Sequence, residues 1–318
     1  MKKIGFVVAL MVFLSCKNES QVEKEIAQID VDFKIERFDL AFANTTIEGL
    51  PKLKETFPFF FPQTISDSVW ELHLKDTLQR HLSSEVEKTF DNFTEVHNDI
   101  QSLFRHLKYF DKTFKVPRVI TVTSNVDYRN KVIVTDTIDI IALDTYLGPS
   151  HEFYSDIPKY IAQNMDKSLI VSDLAASYAS NYIFQSERKT LLDEMVYFGK
   201  ELYFKDMVIP FKTDAEKIEY SPEQMEWAMA NESEIWSYFI EKELLYSTDS
   251  SLPSRFITNA PFSKFYLELD SESPGRLGQY MGWQIVKSYM DNNDISMQDM
   301  LQKDADEIFK NSKFKPRK

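Results

Sequence analysis

The side chains that could do chemistry in this sequence are few, and most stand at the wrong spacing. His151-Glu152 is the dipeptide that opens a zinc-protease helix, where His-Glu-x-x-His sets two imidazoles on one metal and the glutamate polarises its water. Here the fifth position is Ser155, and Gly148-Pro149 and Pro158 on either side predict a loop, so the pair reads as chance. His73 and His81 are eight residues apart, and His97 and His106 nine. A zinc pair on a helix needs a spacing near i, i+4, so these four histidines read as surface or structural residues. There is no Gly-x-Ser-x-Gly elbow and no glycine-rich phosphate loop. Carboxylates remain. Asp173, Asp193 and Glu194 fall on neighbouring predicted helices, and two carboxylates can divide general acid and base work between them. The chain has 50 acidic residues, so such pairs arise freely and spacing alone assigns no catalytic, metal or cofactor-binding residue.

Cys16 is the only cysteine in 318 residues. It follows a basic start at Lys2-Lys3, an apolar run from Ile4 to Leu14, and Ser15. That pattern predicts a signal peptide over residues 1–15, too short to span a membrane permanently. The position of the thiol matches a bacterial lipobox, in which the cysteine is acylated and becomes the new amino terminus. Several acyl chains on one residue anchor stably, at about 0.8 kcal/mol per buried methylene. With Cys16 modified, disulfides, thiolate metal sites and cysteine nucleophiles are all excluded. Residues 16–30 are polar and read as a lipidated tether, leaving residues 31–318 as a single domain with no Pro/Gly/Ser-rich divider. The formal charge is −13, and no basic stripe for nucleic acid is present.

The positioning elements follow from periodicity. Val31 to Phe38 alternates apolar and polar residues and predicts a strand. Pro117–Thr123, Lys131–Thr135 and Thr137–Asp144 are β-branched runs, the last two close enough for a hairpin. Helices are predicted over 66–90, 93–110, 157–165, 173–183 with Ser172 as N-cap, 190–204, and from the Ser221-Pro222-Glu223-Gln224 capping box to about Leu245. Short helices at 295–301 and 304–309 precede a loose basic tail, Lys313 to Lys318. The expected class is α+β, predominantly helical around a small β-sheet. Pro58 and Pro62 bracket Phe59-Phe60-Phe61 after Phe57, which predicts a buried irregular plug. Only seven glycines occur, and Gly275, Gly278 and Gly282 fall in one helical stretch, 271–290. Glycine inside a helix costs about 1 kcal/mol relative to alanine, so this stretch is expected to lie very close against another backbone. The alanine-rich helix beginning at Ser172 is the expected partner.

Several blocks resemble the GldB gliding-motility lipoproteins of Bacteroidota. They are the lipobox start, Val31…Ile35-Glu36-Arg37-Phe38-Asp39, Pro58-Phe59-Phe60-Phe61-Pro62, Val126-Asp127-Tyr128-Arg129-Asn130-Lys131-Val132-Ile133, Leu147-Gly148…His151-Glu152-Phe153-Tyr154, and the run from Pro261 through Met290. The resemblance implies a membrane-attached lipoprotein of the cell envelope, needed for gliding and tied to type IX secretion, with other envelope proteins as partners. It carries over no catalytic residue. A second, weaker resemblance is to zinc peptidases of the gluzincin type. It places a metal helix at Ser172–Ile183, a downstream glutamate at Glu194, and a final helix at Gly278-Gln279-Tyr280-Met281-Gly282. Asp173 to Ser177 contains no histidine, so this resemblance implies a zincin-like scaffold that has lost its metal. The corresponding alternative to a non-enzymatic protein is a hydrolase of peptide or cell-wall material using Asp173, Glu194 and Tyr280.

Overall fold

In the computed structural model, residues 21–268 and 270–318 are described. The signal peptide and Cys16 lie outside the described residues. The first element is a helix, α1 (Gln21–Ala27), where the sequence predicts a tether. Its Ile26 is buried, as is Val31 beyond it, because both pack toward the core. The carbonyls of Ile29, Asp30 and Val31 accept from Arg105, Lys108 and Gln101. The chain is therefore docked from residue 21 onward.

β1 (Ile35–Arg37) leads into α2 (Phe38–Ala43), α3 (Leu50–Thr56), α4 (Asp67–Lys75), α5 (Thr77–Thr89) and α6 (Thr94–Phe110). One long helix was expected over 66–90. Asp76 breaks it, leaving the helical region and accepting from the N–H groups of Leu78 and Gln79 as the N-cap of α5. In α6, Val96, Ile100, Leu103, Phe104 and Leu107 recur at the helical period, and all are buried.

β2 (Arg118–Val122), β3 (Val132–Val134) and β4 (Ile138–Ala142) complete a four-stranded sheet of order β1-β2-β4-β3. β1 and β4 run parallel to β2, and β3 returns antiparallel on β4 as the expected hairpin. Successive strand residues face opposite sides. Val119 and Ile141 meet the main helical core, while Ile120 and Ile138 meet a small aromatic cluster on the other face. That cluster is the phenylalanine segment with Phe38, Phe42 and Trp70. Phe57 and Phe61 are buried in it, but Phe59 is 41% exposed, so the plug is only partly sealed.

The rest is helical: α7 (Lys159–Ala162), α8 (Ile170–Ala179), α9 (Leu191–Val208), α10 (Asp214–Ile218), α11 (Pro222–Ala230), α12 (Glu232–Glu241), α13 (Leu252–Phe256), α14 (Leu277–Asn292), α15 (Met297–Leu301) and α16 (Ala305–Ser312). Ser172 lies inside α8 and does not cap it. Its hydroxyl donates to the carbonyl of Glu216, and Asp166 caps the short turn that feeds α8. The tail is docked, not loose: Phe314 packs edge-on against Trp236, and the Arg317 N–H donates to Glu232.

α9 and α14 are the most extensively packed pair of elements. Their crossing is made by glycine on both sides. A Cβ on Gly282 would overlap the carbonyl of Met195, and one on Gly199 would overlap the carbonyl of Gly282. The glycine-rich helix thus lies against α9, not against the expected α8. The small residue that permits this is Gly199, which the pattern of the other three did not reveal. Gly278 approaches Phe256 and Ile257, and Gly275 approaches Ala260. Among the described residues, no helix is long and apolar enough to cross a membrane.

Candidate functional site

α8 faces the β3 end of the sheet, and its Asp173 is the centre of a network of charges. The carboxylate accepts from Tyr146 Oη at 2.7 Å and pairs with Lys131 Nζ at 2.7 Å. Lys131 stands just before β3. It also donates to the carbonyl of Asn164, and it lies over the Tyr146 ring. Asn164 Nδ2 donates to Glu219 Oε2 at 3.1 Å. Arg276 holds Glu219 from the other side, through Nη1 at 3.5 Å to the carboxylate and Nη2 at 2.8 Å to the backbone carbonyl. Four chain segments are stitched together this way.

The network is deep but not sealed. Side-chain exposure is 16% for Lys131, 11% for Asp173, 16% for Glu219 and 10% for Arg276. Burial raises the Asp173 carboxyl above the usual range; Lys131 opposes the rise and Glu219 adds to it. Burial also pushes Glu219 up, but Lys131, Arg276 and Lys205 outweigh it and hold Glu219 below its ordinary value. Lys131 is raised: burial pulls it down, and the charges of Asp173 and Glu219 more than reverse that.

Glu219 and Arg276 are also two of the few non-glycine residues in the left-handed backbone region, at φ 58° and φ 59°. Such residues cost of order 1 kcal/mol or more and persist where their surroundings over-determine them. The two face each other across the network. Glu201 completes the group from α9. Burial raises its carboxyl, Lys205 lowers it at 3.8 Å, and the charges of Glu219 and Asp173 raise it further.

The sequence candidates do not converge. Glu194, in the first turn of α9, meets Lys189 at 3.8 Å. Tyr280 is buried in α14 and donates to Glu232 Oε2 at 2.8 Å. Asp193 closes a capping box with Thr190 and pairs with Arg188. Asp173 alone sits in the network, so a hydrolase site of Asp173, Glu194 and Tyr280 is not assembled. The α9 carboxylate that feels the charges of Glu219 and Asp173 is Glu201, two helical turns beyond Glu194. Lys131, Tyr146, Glu219 and Arg276 were missed as well. The available signal was a charged pair, Glu201 and Lys205, interrupting the apolar face of α9 at i, i+4.

His151 packs onto α5, with Nε2 at 3.5 Å from Glu85, and caps its own short turn. His81 lies 3.7 Å from Glu152. His106 is buried, and its Nδ1 is 2.8 Å from the carbonyl of Ser102. Among the described residues, no group of three or more His, Cys, Asp or Glu side chains is placed to hold a metal ion.

A second buried carboxyl lies on the neighbouring strand. Asp139 of β4 accepts from Tyr178 of α8 at 2.7 Å, while its Oδ1 has no partner. Burial pushes its pKa from 3.8 to about 7, with the Tyr178 hydrogen bond opposing. Between those values the folded protein binds a proton that the unfolded chain has lost. Stability therefore falls as pH rises from about 4 to about 7 and then levels, by on the order of a few kcal/mol at about 1.4 per pH unit. Asp139→Asn should flatten this part of the profile. Urea denaturation at closely spaced pH values checks it, and an unchanged slope in the variant would refute the assignment.

A sequence model of the family described as gliding motility protein GldB matches residues 19–316. No curated protein and no solved structure matches the chain.

Proposed function

The chain belongs to the GldB gliding motility family, and from that premise we propose that it is a membrane-anchored, non-enzymatic lipoprotein that serves the gliding and type IX secretion machinery as a component or assembly factor. The observation that carries this reading is the family match across nearly the whole chain. The Asp173 network supports it: Lys131 pairs with Asp173 and Arg276 with Glu219, so each buried carboxylate is answered by a cation from another segment. That is the arrangement of a cross-brace between segments. Deleting the gene should abolish colony spreading, restored by the wild-type gene; normal spreading of the deletion strain overturns the proposal.

Anchoring is proposed at Cys16. α1 begins at Gln21, so four intervening residues at about 3.6 Å each, plus the ends, would hold the domain within roughly 20 Å of the bilayer. Cys16→Ser should move the protein from the membrane fraction to the soluble fraction and abolish incorporation of labelled palmitate. Undiminished labelling of the variant would sink this assignment. The membrane and the face that carry the anchor are tested by the same fractionation combined with protease shaving of intact cells.

A hydrolase acting on peptide or cell-wall material keeps one observation in its favour: Asp173 and Glu219 lie in one network, and their surroundings push the first carboxyl up and the second down, as an acid and a base would need. A folded Asp173→Asn variant that still supports spreading removes that reading.

A further inference from the structure

A groove of about 420 Å³ runs between α11–α12 and the segment preceding α14. Its apolar lining comes from Trp227, Ile235, Tyr238 and Phe265. The floor is fixed, because Tyr238 Oη donates to the carbonyl of Phe265 at 2.8 Å and accepts from Arg255 at 3.1 Å. One lip carries Tyr266 and Leu267, which are 73% and 61% exposed. These large side chains are presented to water from a constrained backbone. Tyr266 has φ 63°, and the Asp270 carboxylate accepts from the N–H groups of both Tyr266 and Leu267. The lip is therefore set before anything binds.

The charged side chains that line the groove, Glu234, Glu241 and Asp270, are all acidic. Glu234 and Glu241 stand two turns apart on α12 at its edge, and no basic side chain lines it. Neither glutamate makes an ion pair or a side-chain hydrogen bond among the described residues. Arg255 is buried, its guanidinium over the rings of Phe256 and Tyr266, while Lys242 and Lys264, chain neighbours of Glu241 and Phe265, are exposed outside the lining. Exposed aromatic faces beside unpaired carboxylates favour a cation on an apolar stem, by Coulomb attraction at the rim and by cation–π attraction at the rings. A volume of a few hundred Å³ seats anchor side chains, not a whole element.

We propose that this groove docks a basic, apolar-anchored peptide segment of another envelope protein, one in which lysine or arginine flanks a large apolar side chain. The proposal deepens the assembly reading and relies on it only for where the partner resides. The test uses the full-length lipoprotein in nanodiscs of neutral lipid, titrated against a fluorescent Lys-Leu-Lys-Phe-Lys-Leu-Lys peptide and its counterpart with glutamate in place of lysine. The basic peptide should bind saturably, weaken with added salt, and lose at least about tenfold in affinity in Glu234→Lys/Glu241→Lys. Leu267→Ser, at an exposed lip, should weaken it without changing the thermal melt. Equal binding of the two peptides, or unchanged affinity in both folded variants, overturns the proposal. So does concentration-dependent self-association abolished by Leu267→Ser, which would make a second copy the occupant. If the deletion strain spreads normally while the peptide binds as described, the assembly reading falls and the groove stands. If spreading is lost on deletion while the peptide fails to bind, the groove falls alone.

Discussion

Gly282→Ala is expected to lower the unfolding free energy by about 3 kcal/mol, the upper end of what overpacking a core usually costs. The reason is the identity of the neighbour. A new Cβ at this position meets the backbone carbonyl of Met195, which cannot swing aside as a side-chain end can. α9 and α14 would have to move apart along their whole contact. Gly199→Ala should behave alike, since its Cβ meets the carbonyl of Gly282. Once one substitution has separated the helices, the second should cost less, so the double variant should be less destabilised than the sum. Gly282→Leu should yield no folded protein. Urea denaturation followed by circular dichroism measures all of these, and a Gly282→Ala variant within 0.5 kcal/mol of wild type, on the order of ordinary surface substitutions, would mean the helices do not touch as described.

The second large effect concerns Lys131. Lys131→Met removes the cation that stands between Asp173 and Glu219 while leaving both carboxyls in place. Removing one partner of a buried pair costs about 3–5 kcal/mol. The residual water access at these side chains favours the lower end, about 3. The sign of the pH dependence follows. Without the lysine, Asp173 rises further above its unfolded value and Glu219 loses part of what holds it below its own, so the variant should lose stability as pH increases from the carboxylate range toward neutrality. Its deficit should thus be smaller at pH 5 than at pH 8. Adding Asp173→Asn to Lys131→Met should recover part of the loss, because the uncompensated charge is then gone. A deficit that is the same at both pH values and not relieved by Asp173→Asn would show that Lys131 acts by packing alone.

How much of this could be read from the sequence depended on whether the signal was local. The β3–β4 hairpin was legible because two β-branched runs lie within a few residues of each other, and alternation fixes which faces they present. The break between α4 and α5 was not seen, although Asp76-Thr77 carries the cap, because the apolar positions continue across it. Gly282 was visible as an anomaly in a glycine-poor chain, but its counterpart Gly199 is a single glycine in an otherwise ordinary helix. The site was the least legible part. Asp173 was named, but Lys131, Asn164, Glu219 and Arg276 come from four separate segments, and a charge gives no local sign of the partner that will neutralise it. Glu194 came from the peptidase-like pattern, and Glu201, seven residues further along α9, was not considered.

The crossing of α9 and α14 also bears on how the protein is made. The two helices are separated in the chain by four others, and α14 lies near the carboxyl end. Until α14 is available, the face of α9 that carries Met195 and Gly199 lacks its most extensive cover. The order in which the chain emerges is then not the order in which it can become stable. Contacts this far apart in sequence are slow to close and leave apolar surface open meanwhile. If the anchoring proposed at Cys16 holds, a chain exported amino terminus first would be tethered before its central helix is buried, so the last stage of folding would take place beside the bilayer.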